Sequence, residues 1–444
     1  MASAGAASTV RRIYGNLGKL IGGKAGAAIL SVLYMIIAVR VLGPRDYGVL
    51  ILVHTFAVTV GTIVEFPGWH AVVRYGAQAA EAGDEGRLLR LLRFAGLVEA
   101  AGGVCSVLAA ALLAPVIGPR LGWSQTALDF ALPYSLAVLA TIRATPAGYL
   151  QLVGRFDLLG LHNLVSPLVR LAGAAMIAAF GGGLHAFLVV WLAAALAEWV
   201  SMWGLGLWAL RRTRPDARLI GSARGAVREN AGIRRFMLAA NADLTFGDLA
   251  PRLAPLAVGW VMGPVAAGLY SVAQRATVVI SHPVQLLGQA AYAELARLVA
   301  GGGSGAEIRS ALLRMIGIAA AMAVPALLVI AISADWLAVL IGGPAFRAAG
   351  GVMLWLAAAR AILLIGPPAT AALAALGRPG LSVAANLLCS LGLLPLLPPL
   401  MSALGLRGAG VHAVLQAAAA SAVLAWFVWR RSSELDRAGN ARAR

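Results

Sequence analysis

Charged side chains are scarce in this sequence. They make up 12% of its 444 residues against 60% apolar ones, and the mean hydropathy is +0.84. Soluble domains carry about 25% charged residues, so a soluble enzyme is excluded. Acids are scarcest: 18 Asp and Glu stand against 36 Lys and Arg, and only Lys19 and Lys24 are lysines. Cysteine is nearly absent. Cys105 and Cys389 sit in separate apolar runs, where they read as inert buried thiols. None of the six histidines pairs at i, i+3 or i+4 with another histidine, a cysteine or an acid. Glu99 and Glu198 are isolated on separate apolar segments, and no nucleophile constellation is present. No metal, cofactor or catalytic residue is therefore expected, and the chain reads as a non-enzyme. No signal peptide is read ahead of the first apolar span.

What the sequence has in quantity is long apolar runs. Stretches of about 20 residues, enough to cross a hydrocarbon core of about 30 Å as helices, recur from Leu20 to Val428. They place twelve spans at 19–41, 47–66, 92–117, 129–151, 158–180, 184–209, 236–260, 265–290, 312–334, 348–371, 380–402 and 408–429. Strands are not needed, because in lipid each segment satisfies its own backbone by coiling. The net charge of +18 would point to nucleic acid in a soluble chain, but its placement says otherwise. Alternate loops and both termini hold 25 of the basic residues. The opposite loops hold only Arg45, Arg120, Arg347 and Arg407, and seven basic residues lie within spans. That asymmetry predicts a multi-pass protein of the bacterial inner membrane with both termini in the cytoplasm.

The densest basic run, 211–235, falls midway. It reads as a cytoplasmic linker between an N-terminal six-helix lobe, 1–210, and a C-terminal one, 236–444, its charge held by anionic lipid. The halves repeat each other. Val41-Leu42-Gly43-Pro44 with Gly48 returns as Val261-Met262-Gly263-Pro264 with Gly268, an offset of 220. Leu92-Arg93 returns as Leu313-Arg314, Gly154-Arg155 as Gly377-Arg378, and Asn163 as Asn386. Gly183-Leu184-His185-Ala186 returns as Gly410-Val411-His412-Ala413, by which point the offset has grown to 227. Six helices per half is an even number, so the halves share orientation, as in transporters with parallel repeats. The expected fold is all-α: about twelve transmembrane helices in two pseudo-symmetric lobes around a central cavity.

Two short strings carry a resemblance. Arg40-Val-Leu-Gly-Pro-Arg-Asp-Tyr-Gly48 and Ala71-Val-Val-Arg74-Tyr75 resemble segments of bacterial polysaccharide flippases of the Wzx type. These belong to the multidrug/oligosaccharidyl-lipid/polysaccharide exporter superfamily. The resemblance implies translocation of undecaprenyl-diphosphate-linked oligosaccharide units by alternating access, for O-antigen, lipopolysaccharide or exopolysaccharide synthesis. It also implies glycosyltransferases and a polysaccharide polymerase as partners, besides membrane lipids, with no nucleic acid. Two relatives offer alternatives: a cation-coupled multidrug exporter and a flippase for the peptidoglycan lipid precursor. In the latter the similar string lies inside helix 1 and fourteen spans are usual.

Polar residues inside the spans mark the candidate site. Ser271, Arg275, His282, Gln285 and Gln289 fall on one helical face, as do Asn241, Thr245, Asp248 and Arg252, and also His162, Ser166 and Arg170. Polar faces at membrane depth are costly unless they meet water or one another. Asp248 and Arg252 form an i,i+4 pair in the favourable order. Arg143, Arg170, Arg275 and Arg360 have no acid three or four residues away, and Arg275 reads as a buried guanidinium with no resident partner. Its counterpart in the first repeat is Thr55. Lys24 lies one turn inside the first span, where it either snorkels or faces a cavity. The string Gly18-x4-Gly23-Lys24 lacks a Ser or Thr at 25 and a preceding strand, so it is no phosphate-binding loop; Gly18, Gly22 and Gly26 read as a ladder for close helix contact. The candidate substrate contacts are thus Lys24, Arg170, Arg252, Arg275, His282, Gln285 and Gln289. On the cation-coupled reading, Asp243 and Asp248 form the ion site.

Overall fold

The computed structural model describes residues 2–64, 68–217, 221–278, 295, 297–299, 301 and 304–442; the side chains of 2–21, 239–248, 250, 322, 379 and 438–442 lie outside the described set. Every regular element among the described residues is helical. The chain forms two compact units, Met1–Thr245 and Phe246–Arg444.

In the first unit, α1 (Ala2–Val64), α2 (Trp69–Glu81) and α3 (Glu85–Arg120) are followed by the short α4 (Gln125–Asp129) and α5 (Ala131–Tyr134). A 3-10 segment, Ser135–Thr141, leads into α6 (Ala144–Leu152), then α7 (Phe156–Phe180), α8 (Leu184–Thr213), α9 (Ala226–Glu229) and the start of α10 (Ile233–Thr277). After the rest of α10, the second unit holds α11 (Gly305–Gly342), α12 (Ala349–Leu363), α13 (Gly366–Ala375), α14 (Pro379–Gly392), α15 (Leu397–Leu404) and α16 (Leu406–Arg442).

Nine stretches among the described residues are long and apolar enough to cross a membrane. One of them, Gly22–Val64, has 43 residues. At 1.5 Å per residue that is room for two crossings, and the helix breaks at Gly43 (φ 70°, ψ 178°), ahead of Pro44. The break recurs at Gly263 (φ 82°, ψ 179°), ahead of Pro264. That backbone region is open essentially to glycine alone, which is why the repeated string keeps Gly at both places. The expected eighth span runs past 278, outside the described residues. The fourth, expected as one helix over 129–151, is instead broken into α5, the 3-10 segment and α6. A second repeated word is also a backbone device. Arg155 N–H donates to Leu150 O at 2.8 Å, and Arg378 N–H to Leu373 O at 2.8 Å, with Gly154 and Gly377 closing the same inner bond at 3.0 Å. Both are the hydrogen-bond pair that caps a helix C-terminus.

Of the interior prolines, Pro325 lies within unbroken α11, whereas Pro367 and Pro368 open α13 just after α12 ends. The expected glycine ladder is shifted by one residue. Gly22 faces open space, while a Cβ on Gly23 would strike the carbonyl of Gly160 in α7 and one on Gly26 would touch Leu164. The close approach of α1 to α7 therefore runs through Gly23 and Gly26. Cys105 is exposed on α3 and Cys389 half-buried, so neither is the buried thiol expected; an apolar run in a membrane helix presents one side to lipid, which hydropathy alone does not resolve.

Candidate functional site

The polar face expected on the fifth span is real. His162, Ser166 and Arg170 are all buried on α7, Arg170 to 7% exposure. Burying a guanidinium costs several kcal/mol unless it is paired, so its surroundings matter. Arg170 Nη1 donates to Tyr34 Oη at 3.3 Å and Nη2 to His54 Nε2 at 3.0 Å, both groups on α1. The guanidinium also lies 5.6 Å from the Tyr34 ring and 5.2 Å from the Trp191 ring. Arginine only donates, so His54 must be neutral with its proton on Nδ1, which donates to Tyr134 Oη at 2.9 Å. Arg170 forms no ion pair among the described residues, and its buried Nε–H has no hydrogen-bond acceptor there. Aromatic faces and neutral acceptors hold the charge in place of a carboxylate.

The same construction occurs a second time on α7, with one difference. Arg143, just before α6, donates through Nη1 to His162 Nε2 at 3.1 Å, and His162 Nδ1 donates to Ser201 Oγ at 3.0 Å. Here, however, Glu198 of α8 closes an ion pair with Arg143. Each arginine thus leans on a neutral histidine that leans on a hydroxyl. Among the described residues, one carries a resident anion and the other does not.

Glu99, fully buried on α3, accepts the backbone N–H groups of Ala144 and, at 2.7 Å, Thr145. It caps the start of α6, where a helix N-terminus favours negative charge, and so fixes the backbone that carries Arg143. Trp203 Nε1–H satisfies Ile142 O at 2.9 Å, a carbonyl that the helix break frees.

The other candidates are dispersed. Lys24 is exposed, and Arg252 is half-buried on α10. Arg275 is exposed rather than buried, and it is not without a partner; the helical face placed it among polar residues but left its depth open. Arg360 of α12 donates through Nε to Thr277 Oγ1 at 3.1 Å. His282, Gln285 and Gln289 lie outside the described residues, as do the side chains of Asp243 and Asp248. Tyr34, His54, Tyr134 and Trp191 were not among the expected site residues. Each is a lone aromatic or imidazole in an apolar run, and no spacing within its own helix marks it.

The two motif strings also have assigned places. Arg40–Gly48 brackets the Gly43 break. In Ala71–Tyr75, Tyr75 Oη donates to Ala231 O at 3.2 Å and the Arg74 guanidinium sits 4.7 Å from the Phe236 ring. The second string therefore docks the segment that leads into α10.

Comparison with known proteins agrees with this architecture. The family model for polysaccharide biosynthesis proteins matches residues 14–297. An Escherichia coli relative, inner membrane protein YghQ, is 25% identical over 272 residues, 61% of this chain and 77% of the relative. Among solved structures, an inward-facing multidrug resistance MATE family transporter of the MOP superfamily has a TM-score of 0.71 at 14% identity, covering 93% of this chain and 96% of that one. The lipid II flippase MurJ, in an inward closed conformation, also has a TM-score of 0.71, at 10% identity and coverages of 93% and 89%. The fold is thus the one shared by MATE transporters and MurJ, and the chain is a multi-pass membrane protein that belongs to the polysaccharide biosynthesis protein family.

Proposed function

We propose that this protein flips polyprenyl-diphosphate-linked oligosaccharides, with undecaprenyl diphosphate as the carrier, across the bacterial inner membrane by alternating access, both termini cytoplasmic. The family match and the flippase fold support a lipid-linked substrate, and the 25-to-4 distribution of basic loop residues supports the orientation. The observation that carries the reading is Arg170. A buried guanidinium on neutral partners, with one donor unsatisfied among the described residues, is poised to exchange those partners for a phosphate, which its planar fork fits bidentately. Arg252, Arg275 and Lys24, with His282, Gln285 and Gln289, are the proposed further contacts to diphosphate and sugar. The reaction calls for no catalytic residue; the glycosyltransferases would act before transport and the polymerase after it. The alternatives are a cation-coupled drug exporter using Asp243 and Asp248, and a flippase for the peptidoglycan precursor.

The test is a strain lacking this protein. It should lose surface polysaccharide and accumulate lipid-linked repeat units, and the wild-type chain should restore both. Arg170→Ala should restore neither at normal folded membrane levels, and Arg170→Lys should restore part. Full restoration by Arg170→Ala would remove the residue from the mechanism. Intact surface polysaccharide with new sensitivity to cationic drugs would favour the exporter, and failing peptidoglycan synthesis the third reading. Orientation is checked separately in a cysteine-free background: an impermeant thiol reagent should miss Ser222→Cys and Arg437→Cys in intact cells.

A further inference from the structure

The basic segment that follows α8 is built into the first unit rather than hanging from it. Arg87 Nε donates to Asn230 Oδ1 at 3.0 Å, Arg90 Nε to Glu229 at 2.8 Å, and Arg93 Nη1 to Ser222 O at 3.3 Å. Asn230 is fully buried and turns back onto Ala226 O at 2.7 Å. Ile233 and Met237 are buried against Ala71, Tyr75 and Leu91. Between this segment and the start of α3 lies a wide, open surface cavity of about 1170 Å³. Arg224, Arg228 and Arg234 line it with polar heads, and Phe94, Leu97 and Val227 give it an apolar wall. Those three arginines are exposed, and their side chains make no hydrogen bond or ion pair among the described residues. The acid in the cavity, Glu229, is already held by Arg90.

The position of the cavity along α3 gives the level. Leu97, Val104, Leu108 and Leu112 are 56–75% exposed and fall on one helical face, the side of a membrane helix that meets acyl chains. Arg90, two turns before Leu97, continues that face. The cavity therefore opens where the lipid-facing stripe of α3 ends, at the depth of headgroups, with arginines on the aqueous side and Leu97 on the apolar side. We propose that it binds one anionic glycerophospholipid, its phosphate among Arg224, Arg228 and Arg234 and an acyl chain along Leu97, Val104 and Leu108. Basic cavities between membrane helices suit such headgroups. The cavity is distinct from the Arg170 cluster, and the inference stands whatever the protein transports.

The purified full-length protein would be delipidated and titrated with phosphatidylglycerol, phosphatidylcholine or undecaprenyl diphosphate, with bound lipid counted by native mass spectrometry. Phosphatidylglycerol should bind at least about tenfold more tightly than phosphatidylcholine. Arg228→Ala should weaken it about fivefold, and the triple variant Arg224→Ala, Arg228→Ala, Arg234→Ala about a hundredfold. A triple lysine variant should stay within a few-fold of wild type. The control Arg211→Ala, Arg212→Ala, Arg235→Ala removes the same charge outside the cavity and should bind normally. Equal loss in the control would reduce the effect to general surface charge and overturn the site. So would equal binding of phosphatidylcholine. Displacement of phosphatidylglycerol by stoichiometric undecaprenyl diphosphate, lost in the triple alanine variant, would make the cavity a docking point for prenyl carriers and overturn the phospholipid assignment.

Discussion

Among the described residues, the two units repeat backbone devices but not the polar interior. Gly43 and Gly263 break α1 and α10 with nearly identical dihedrals, and Gly154 and Gly377 close identical capping turns. Carrying the offsets of 220 to 227 forward, however, Tyr34 corresponds to Ala254, His54 to Gln274 and Glu99 to Ala320. Arg170 corresponds to Leu393, Trp191 to Ala418 and Glu198 to Ala425. The second unit has a partly buried polar contact of its own in Arg360 and Thr277, whose counterparts in the first are apolar. Geometry that any six-helix unit needs is kept in both copies. Buried charge, which is expensive at membrane depth, differs between the copies among the described residues.

The sharpest way to break this comparison is functional. Arg170→Ala should reduce transport by two orders of magnitude or more, measured as surface polysaccharide in the deletion strain. Arg360→Gln in the second unit should leave most of it. Equal loss from both would mean that the units share the task. Next in size is the ion pair that distinguishes the two arginine–histidine pairs. Glu198→Ala takes the carboxylate from Arg143, leaves it on its remaining contacts and should cost about 2 kcal/mol of stability in mixed-micelle unfolding. Replacing both partners with leucine should recover most of that, and a double variant no better than the single would show that Arg143 contributes through contacts other than Glu198. Third come the shared breaks. Gly43→Ala and Gly263→Ala each force an L-residue into a glycine-only region, at about 1–2 kcal/mol. The two losses should match, and a loss confined to one unit would show that the other relaxes around its break.

The same contrast explains what the sequence disclosed. Span count follows from a one-dimensional rule, about 20 apolar residues per crossing, so the twelve-helix plan was legible except where a helix breaks inside a span, as at Ser135–Thr141. The repeat words at Gly43 and Gly154 were legible because backbone devices need particular residues at particular places. The α7 face was legible because His162, Ser166 and Arg170 share one helix. Their partners were not. Arg143 and Glu198 are 55 residues apart, and Arg170 and His54 are 116; helical periodicity says nothing about pairing across helices. Arg275 shows the converse limit. Its face was apparent from spacing, but its exposure depends on what packs beside α10, which no spacing within the helix encodes.

The smallest effect tests a side-chain device found in both units among the described residues. Each breaks its fourth crossing at an equivalent place, before Ala144 in the first and before Gly366 in the second. A break frees carbonyls that lipid cannot satisfy. In the first unit Trp203 of α8 donates to Ile142 O at 2.9 Å; in the second Ser421 of α16 donates at 3.0 Å to Ile362 O, which also accepts the Ile365 N–H at 3.3 Å. The donors differ and do not align by repeat offset, yet each comes from the sixth crossing helix of its unit. Trp203→Phe and Ser421→Ala each delete one such bond with little change of shape and should cost about 1 kcal/mol apiece. Together they should cost the sum, because each lies within its own unit and shares no partner with the other. Thermal unfolding of the purified variants measures this directly. If Trp203→Phe costs far more than Ser421→Ala, the first break depends on its indole for more than one carbonyl. The cap from Glu99 on α6 would then be coupled to it, and Glu99→Gln combined with Trp203→Phe should depart from additivity.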